Sequence, residues 1–201
     1  MVRTIKNPYL REVCISILTN HKRELMVKPG TDGCHHYGEG LLLAHLHSVT
    51  KNAMFLSERY PGFSRDLIIF GSSLHDIGKI NDYTDFDGTK NPPSTTNVSI
   101  DLLGHSYEGT HLVENYISRQ PNFPVDLRLQ ALHMVGSHMR NTTMDGGALV
   151  EPKMGEVIII NFADHIDAFA EEAERKLKDV KPNEWSEVVE NLNRTLLRAC
   201  I

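Results

Sequence analysis

The chain has 201 residues, enough for one well-buried core and too few for a comfortable second domain. Its formal net charge of -5 excludes a global attraction for polyanions, so any nucleic-acid contact must come from a local patch. Cys14, Cys34 and Cys200 are far apart and lack CxxC spacing, which excludes a disulfide framework and a thiolate metal site and fits free thiols in a reducing compartment. The N-terminal stretch mixes charged with apolar residues and lacks the pattern of a signal peptide. No apolar run approaches the ~18 residues of a membrane span, so a soluble, cytoplasmic protein with no membrane contact is expected.

Apolar residues at Leu10, Val13, Cys14, Ile17 and Leu18 carry the 3,4 spacing of a one-sided helix, predicted from residue 8 to about 28 and stopped by Pro29-Gly30. A second helix is expected over 41–59, ahead of Tyr60-Pro61-Gly62. A third, over 64 to about 79, contains LIIFGSSL, which reads as buried nearly all round. The segment 81–97, NDYTDFDGTKNPPSTTN, is too polar to pack and reads as an exposed loop flanking a site. Helices resume over about 101–119, 124–139, 156–178 and 184–199. Strand signals are nearly absent, and VIII at 157–160 is taken as the buried start of a helix. The expectation is an all-α single domain, a helical bundle with its core over about 7–178 and a C-terminal helix over about 184–199.

Seven residues scattered along this pattern, His45, His75, Asp76, His105, His133, His138 and Asp164, offer imidazole and carboxylate together. That mixture suits borderline divalent ions such as Mn, Fe, Co, Ni or Zn, whereas Mg prefers oxygen alone. His45 and Asp164 fall on otherwise apolar helical faces, where an unpaired imidazole or carboxylate is expensive. Neighbouring residues on a helix point about 100° apart, so His75 and Asp76 can share an ion only beside the end of their helix. Ile77-Gly78-Lys79 supplies that end. Gly78 allows a turn or the close approach of a ligand, and Lys79 offers an ammonium to a phosphate oxygen.

The strings HHYGEGLLLAHLHSV (35–49), SSLHDIGKI (72–80), LLGHSYEG (102–109), LHMVGSHM (132–139) and NFADHIDA (161–168) resemble, in order, the HD-domain metal-dependent phosphohydrolases. Within that superfamily the chain most resembles the HD domain of YhaM-type 3'-to-5' exoribonucleases, over residues 7 to about 173. The resemblance implies a helical HD domain in which His45, His75, Asp76 and Asp164 hold a primary divalent ion. It implies a second ion at His105 and His138 with Asp76 bridging, hence one or two ions per chain, drawn from Mn, Fe, Co, Ni, Zn or Mg. The family usually reads SHH where this chain has Ser137-His138-Met139. A thioether is a poor partner for a hard divalent ion, so a weaker second site is expected.

His133 and His138 are turned from each other by roughly 140° on a regular helix. His138 is therefore taken as the ligand, and His133 as a phosphate contact or an orienting partner. Asp167, three beyond Asp164, shares its face and is a candidate to orient a ligand; His47, His111 and His165 are read as surface. His36, from the pair His35-His36 that resembles the opening of the family block, and Arg140, whose planar fork suits phosphate, are candidate substrate contacts beside Lys79. The implied chemistry is phosphoester hydrolysis by metal-activated water, with Asp76, Lys79 and His133 in catalytic roles and no covalent intermediate.

The expected substrate is a nucleotide or short single-stranded nucleic acid. YhaM-type enzymes carry an oligonucleotide-binding barrel ahead of the HD domain and this chain begins at the HD domain, so a processive grip on single strands is not expected. The GYP signature of cyclic di-GMP phosphodiesterases is absent. Loops 80–98 and 140–155 are expected to rim the pocket, the latter as a lid through Asp145-Gly146-Gly147, with Tyr83, Phe86 and Tyr107 placed to stack on a base. Alternatives are a mononuclear nucleotidase or deoxynucleotide phosphatase, and a non-catalytic nucleotide-binding HD regulatory module; a homo-oligomer is compatible with any of them.

Overall fold

Asn7 opens helix α1 (Pro8–Asn20): its side-chain oxygen accepts from the amides of Tyr9 and Leu10, and Pro8 at the first position has no amide to satisfy. In the computed structural model, which describes residues 1–30, 41–82, 97–139 and 147–200, six further α-helices follow. They are α2 (Lys22–Val27), α3 (Leu41–Arg59), α4 (Arg65–Leu74), α5 (Val98–Ile117), α6 (Val125–Gly136) and α7 (Gly155–Leu177). Short 3-10 turns occupy Val2–Thr4, Ile77–Asn81 and Glu190–Leu192, and strands β1 (Trp185–Val189) and β2 (Arg194–Leu197) pair antiparallel. The fold is the all-α class that the periodicity predicts, with the hairpin as its one departure among the described residues.

Helix α4 is the axis of the molecule. Every residue from Leu67 to Leu74 is buried, and α1, α3, α6 and α7 pack against it, as the unbroken LIIFGSSL run requires. Each of Leu67, Ile68, Ile69, Phe70 and Leu74 removed from water contributes on the order of 1.5–3 kcal/mol to holding this arrangement. Its start is fixed by Ser64, whose hydroxyl accepts from Leu67 N, and by Asp66, whose carboxylate accepts the amides of Lys6 and Asn7 and so ties α1 to α4.

Several helix ends differ from the periodic reading, and the differences matter for the site. The helix expected over 8–28 breaks at His21, which leaves the helical region with φ -103 and ψ 22. The helix expected over 64–79 stops at Leu74; Asp76 lies outside helical geometry and Ile77–Asn81 is 3-10. Helix α6 ends at Gly136, not at 139, so His138 stands two residues beyond it. Gly104 interrupts α5 with φ 77 and ψ 154, a conformation open to glycine, and resets the direction of the segment that carries His105.

The predicted C-terminal helix over 184–199 is a correction: the segment is the β1–β2 hairpin. Its apolar residues fall at spacings that mimic a helix, but the β-branched pair Val188-Val189 favours a strand and Asn193 turns the chain in the left-handed region, φ 49. A long-range contact completes the choice. Glu172 on α7, fully buried, accepts the amides of Glu190 at 2.7 Å and Asn191 at 3.0 Å, which a helix through 190 would have spent internally.

Candidate metal centre

Helices α4 and α6 end at the same place, and each is followed within two residues by a histidine whose Nδ1 finds a carbonyl left over in the last turn. His75 Nδ1 is 2.9 Å from Ser72 O after α4, and His138 Nδ1 is 2.7 Å from Val135 O after α6. A carbonyl only accepts, so both rings carry their proton on Nδ1 and turn a bare Nε2 inward. Helix C-termini also hold partial negative charge, which favours a cation there. His45 comes from α3 with Nδ1 2.9 Å from Asp167 Oδ2, a partner 122 residues away on α7.

The 3-10 turn that follows Asp76 lies directly on α5. A Cβ on Gly78 would stand 2.1 Å from His105 O and 2.7 Å from Gly109 N, so glycine is needed for backbone to touch backbone. Gly78, expected to serve a turn or the approach of a ligand, has the segment that delivers His105 as its close neighbour.

Asp76 sits at the centre, 2% exposed, with its two oxygens facing different histidines. Oδ1 lies 3.4 Å from His105 Nε2 and 3.3 Å from His138 Nε2. Oδ2 lies 3.4 Å from His45 Nε2, 3.6 Å from His75 Nε2 and 2.7 Å from Lys79 Nζ. Asp164 Oδ1 closes one side, 3.2 Å from His45 Nε2 and 3.8 Å from His75 Nε2. Two triads, His45–His75–Asp76 and Asp76–His105–His138, thus have ligand atoms close enough to hold a divalent ion.

Three contacts test whether a cation fits. His45 Nε2 and His75 Nε2 face each other at 3.3 Å, and the bond from His75 Nδ1 to Ser72 O leaves the His75 nitrogen with a lone pair turned into the cluster. The buried Nε2 atoms of His105 and His138 make no hydrogen bond. Leaving such atoms unsatisfied costs about 1–3 kcal/mol each, and a divalent ion is the partner that satisfies imidazole and carboxylate together.

Burial and charge divide the titrations. Burial depresses His75 to about 4 and His105 to about 3, against the pull of Asp76. Burial also works against protonation of His45, yet hydrogen bonds to Asp164, Asp167 and Asp76 carry it well above the ordinary imidazole value. Burial opposes ionisation of Asp76 and Asp164 as well. The charges of Lys79 and His75 hold Asp76 well below the usual carboxylate range, and the hydrogen bond to His45 does the same for Asp164. Lys79 is raised, burial being outweighed by Asp76.

Of the predicted site residues, His45, His75, Asp76, Lys79, His105, His138 and Asp164 converge. His133 does not join them. Lys153 N donates to its Nε2 at 2.9 Å, which leaves the ring proton on Nδ1 to meet Ser137 Oγ at 3.0 Å, so this half-exposed imidazole pins the 147–153 stretch to the end of α6. Lys79 is also engaged, donating to Gly30 O at 2.9 Å as well as pairing with Asp76. His36 and Arg140, together with His35, Cys34, Tyr83, Phe86, Asp145 and Gly146, lie outside the described residues. His47 and His111 are exposed, the latter stacked parallel to Tyr107; His165 Nδ1 bonds Asn161 O within α7.

Sequence reasoning missed Asn161 and Ser48. Asn161 donates from Nδ2 to His138 O at 2.9 Å, and Ser48 donates its hydroxyl to Asp167 Oδ1. Their signal was spacing alone: Asn161 is three before Asp164 and Ser48 three after His45, each on its partner's helical face.

Comparison with known proteins places these residues in a recognisable frame. The HD domain family model matches residues 42–169. The 3'-5' exoribonuclease YhaM of Bacillus subtilis (strain 168) is 30% identical over 187 residues, covering 92% of this chain and 56% of that protein. The proteins of the same name from Bacillus licheniformis and Bacillus velezensis are 29% and 30% identical over the same length, with the same coverage. The chain therefore spans a little over half the length of the curated relatives it matches. No solved structure matches it. No helix among the described residues is long and apolar enough to cross a membrane.

Proposed function

Because the chain belongs to the HD domain family, we propose that it is a metal-dependent phosphohydrolase that cleaves phosphoester bonds in nucleotides or short single-stranded nucleic acid. The observation that carries this reading is the convergence of bare imidazole nitrogens on Asp76, two of them buried without a hydrogen bond. The exoribonuclease relatives support a nucleic-acid substrate. His45, His75, Asp76 and Asp164 would hold one divalent ion, and His105 and His138 a second, with Asp76 shared. Mn, Fe, Co, Ni and Zn fit the mixed nitrogen and oxygen donors better than Mg does.

A bound divalent ion supplies Lewis acidity toward a phosphoryl oxygen and acidifies water for attack on phosphorus. The chain's own part is to hold that chemistry in place. Asp76 presents one oxygen to each half of the cluster, and Lys79 keeps it ionised while adding positive charge where a phosphoryl group gains negative charge. Asp164 and His45, drawn from different helices, fix one wall. Nothing in this division of labour needs His133, and we assign it the structural clasp described above. A cytoplasmic setting belongs to the same proposal, supported by Cys14 and Cys200 as free thiols.

The test is a substrate panel with added Mn: bis-p-nitrophenyl phosphate, nucleoside mono- and triphosphates, cyclic nucleotides, and short labelled RNA and DNA, run beside His75→Ala. Turnover of a diester or oligonucleotide that His75→Ala abolishes is the expected result. Monophosphate turnover with one ion per chain would favour the nucleotidase alternative. A protein that binds nucleotide but turns nothing over would leave the regulatory module as the reading.

A further inference from the structure

The imidazoles of the cluster are not backed alike. Behind His75 and His138 stand main-chain carbonyls three residues earlier in the chain, Ser72 O and Val135 O. Behind His45 stands a carboxylate, Asp167 Oδ2, at 2.9 Å, and Asp167 is itself only 6% exposed. Its other oxygen accepts the hydroxyl of Ser48, about one turn along α3 from His45. Helix α7 thus grips the His45 ring at both edges, since Asp164 Oδ1 is 3.2 Å from Nε2. An ionised acceptor behind an imidazole N–H fixes the tautomer and raises the donor strength of the opposite nitrogen more than a neutral carbonyl does.

The two halves of the cluster differ in number of ligands as well. One has His45, His75 and Asp164 around Asp76, and the other has His105 and His138. We infer that Asp167, oriented by Ser48, is a positioning residue that makes His45 the strongest nitrogen donor of the cluster and causes the His45–His75–Asp76–Asp164 half to take its divalent ion first. This rests on the metal-centre reading proposed above. Loading is then ordered: the half around His105 and His138 fills at higher ion concentration.

Titration of the metal-free chain with Mn(II), followed by calorimetry, tests it. Wild type is expected to show a tight phase and a weak one. Asp167→Asn keeps an acceptor oxygen but removes the charge, and should weaken the tight phase about tenfold while moving the weak phase much less. Ser48→Ala should weaken the same phase by a few-fold, and it decides the matter if Asp167→Asn does not fold. Glu172→Gln is the structural control: it alters another buried carboxylate of α7, and should lower the melting temperature without changing either phase. The inference is overturned if Asp167→Asn leaves the tight phase unmoved or weakens both phases equally. It is overturned as well if Glu172→Gln weakens binding as much. A wild-type chain that binds no Mn(II) at all would instead sink the metal-centre reading, and this inference with it.

Discussion

Helix α7 carries carboxylates toward two regions, and their partners differ in kind. Glu172 meets the hairpin, where the amides of Glu190 and Asn191 fill its lone pairs with donors. Asp164 meets the cluster around Asp76, where it faces His45 Nε2 at 3.2 Å and His75 Nε2 at 3.8 Å, the second an acceptor because its ring proton goes to Ser72 O. A buried acid whose partners are donors holds a fold together. A carboxylate gathered with imidazole nitrogens that hold lone pairs is a donor set suited to a divalent cation, and that distinction separates this cluster from a structural polar contact.

The largest effect that would test this contrast is at Asp76. Asp76→Ala removes the shared ligand of both halves, so turnover in the Mn-supplemented assay should fall by at least about a thousandfold. Retention of even a tenth of wild-type turnover would remove Asp76 from the mechanism. Next comes the hairpin. Glu172→Ala deprives two amides of a charged acceptor and should cost about 2–3 kcal/mol of stability in urea unfolding. The residual activity of the folded fraction should be unchanged; a matching loss of activity would mean that the two ends of α7 are not independent.

A smaller effect separates the regions by pH. In the metal-free protein His75 and His105 titrate at about 4 and about 3, while unfolded imidazole titrates near 6.5. As pH falls below 6.5 the unfolded chain binds protons that these two refuse, so stability declines through the window from 6.5 down to about 3. The lowered carboxylates Asp76 and Asp164 act in the same sense, their stabilisation being lost under acid. His45 acts in the opposite sense: it contributes stability fully present below pH 6.5 and lost as pH rises above 6.5 through its raised folded value. The urea midpoint should therefore drop between pH 6.5 and 4, and less steeply in His105→Asn. An equal slope in the variant would show that His105 is not buried in its neutral form. The smallest effect is expected at His47, which is exposed on α3: His47→Ala should leave stability within about 0.5 kcal/mol and turnover within about twofold.

Much of the centre was legible from residue type. His45 and Asp164 stood out on apolar helical faces and His75-Asp76 at a helix end, the family resemblance added His105 and His138, and all six arrive at the cluster. His133 was legible as chemically suitable, but spacing says which way a ring points and not that the amide of Lys153 will meet it. The C-terminal segment failed for a related reason. Its periodicity was compatible with a helix, and the carboxylate of Glu172 that captures its turn lies 18 residues back in the chain.

The sequence by itself determined where the helices of the bundle run up to about residue 178, though not their ends, because burial patterns at 3,4 spacing are local, and it determined which side chains could bind a divalent ion, because that depends on donor chemistry. The carbonyls that meet Nδ1 of His75 and His138 lie only three residues back in the chain, yet they meet those rings because the helices stop where they do. Tertiary structure alone decided where helices α4 and α6 stop relative to their histidines, and that Gly78 is pressed against the segment bearing His105. It alone set the carboxylate of Asp167 behind His45, across 122 residues. Local pattern fixes what a residue can do, and packing of distant helices fixes what it faces.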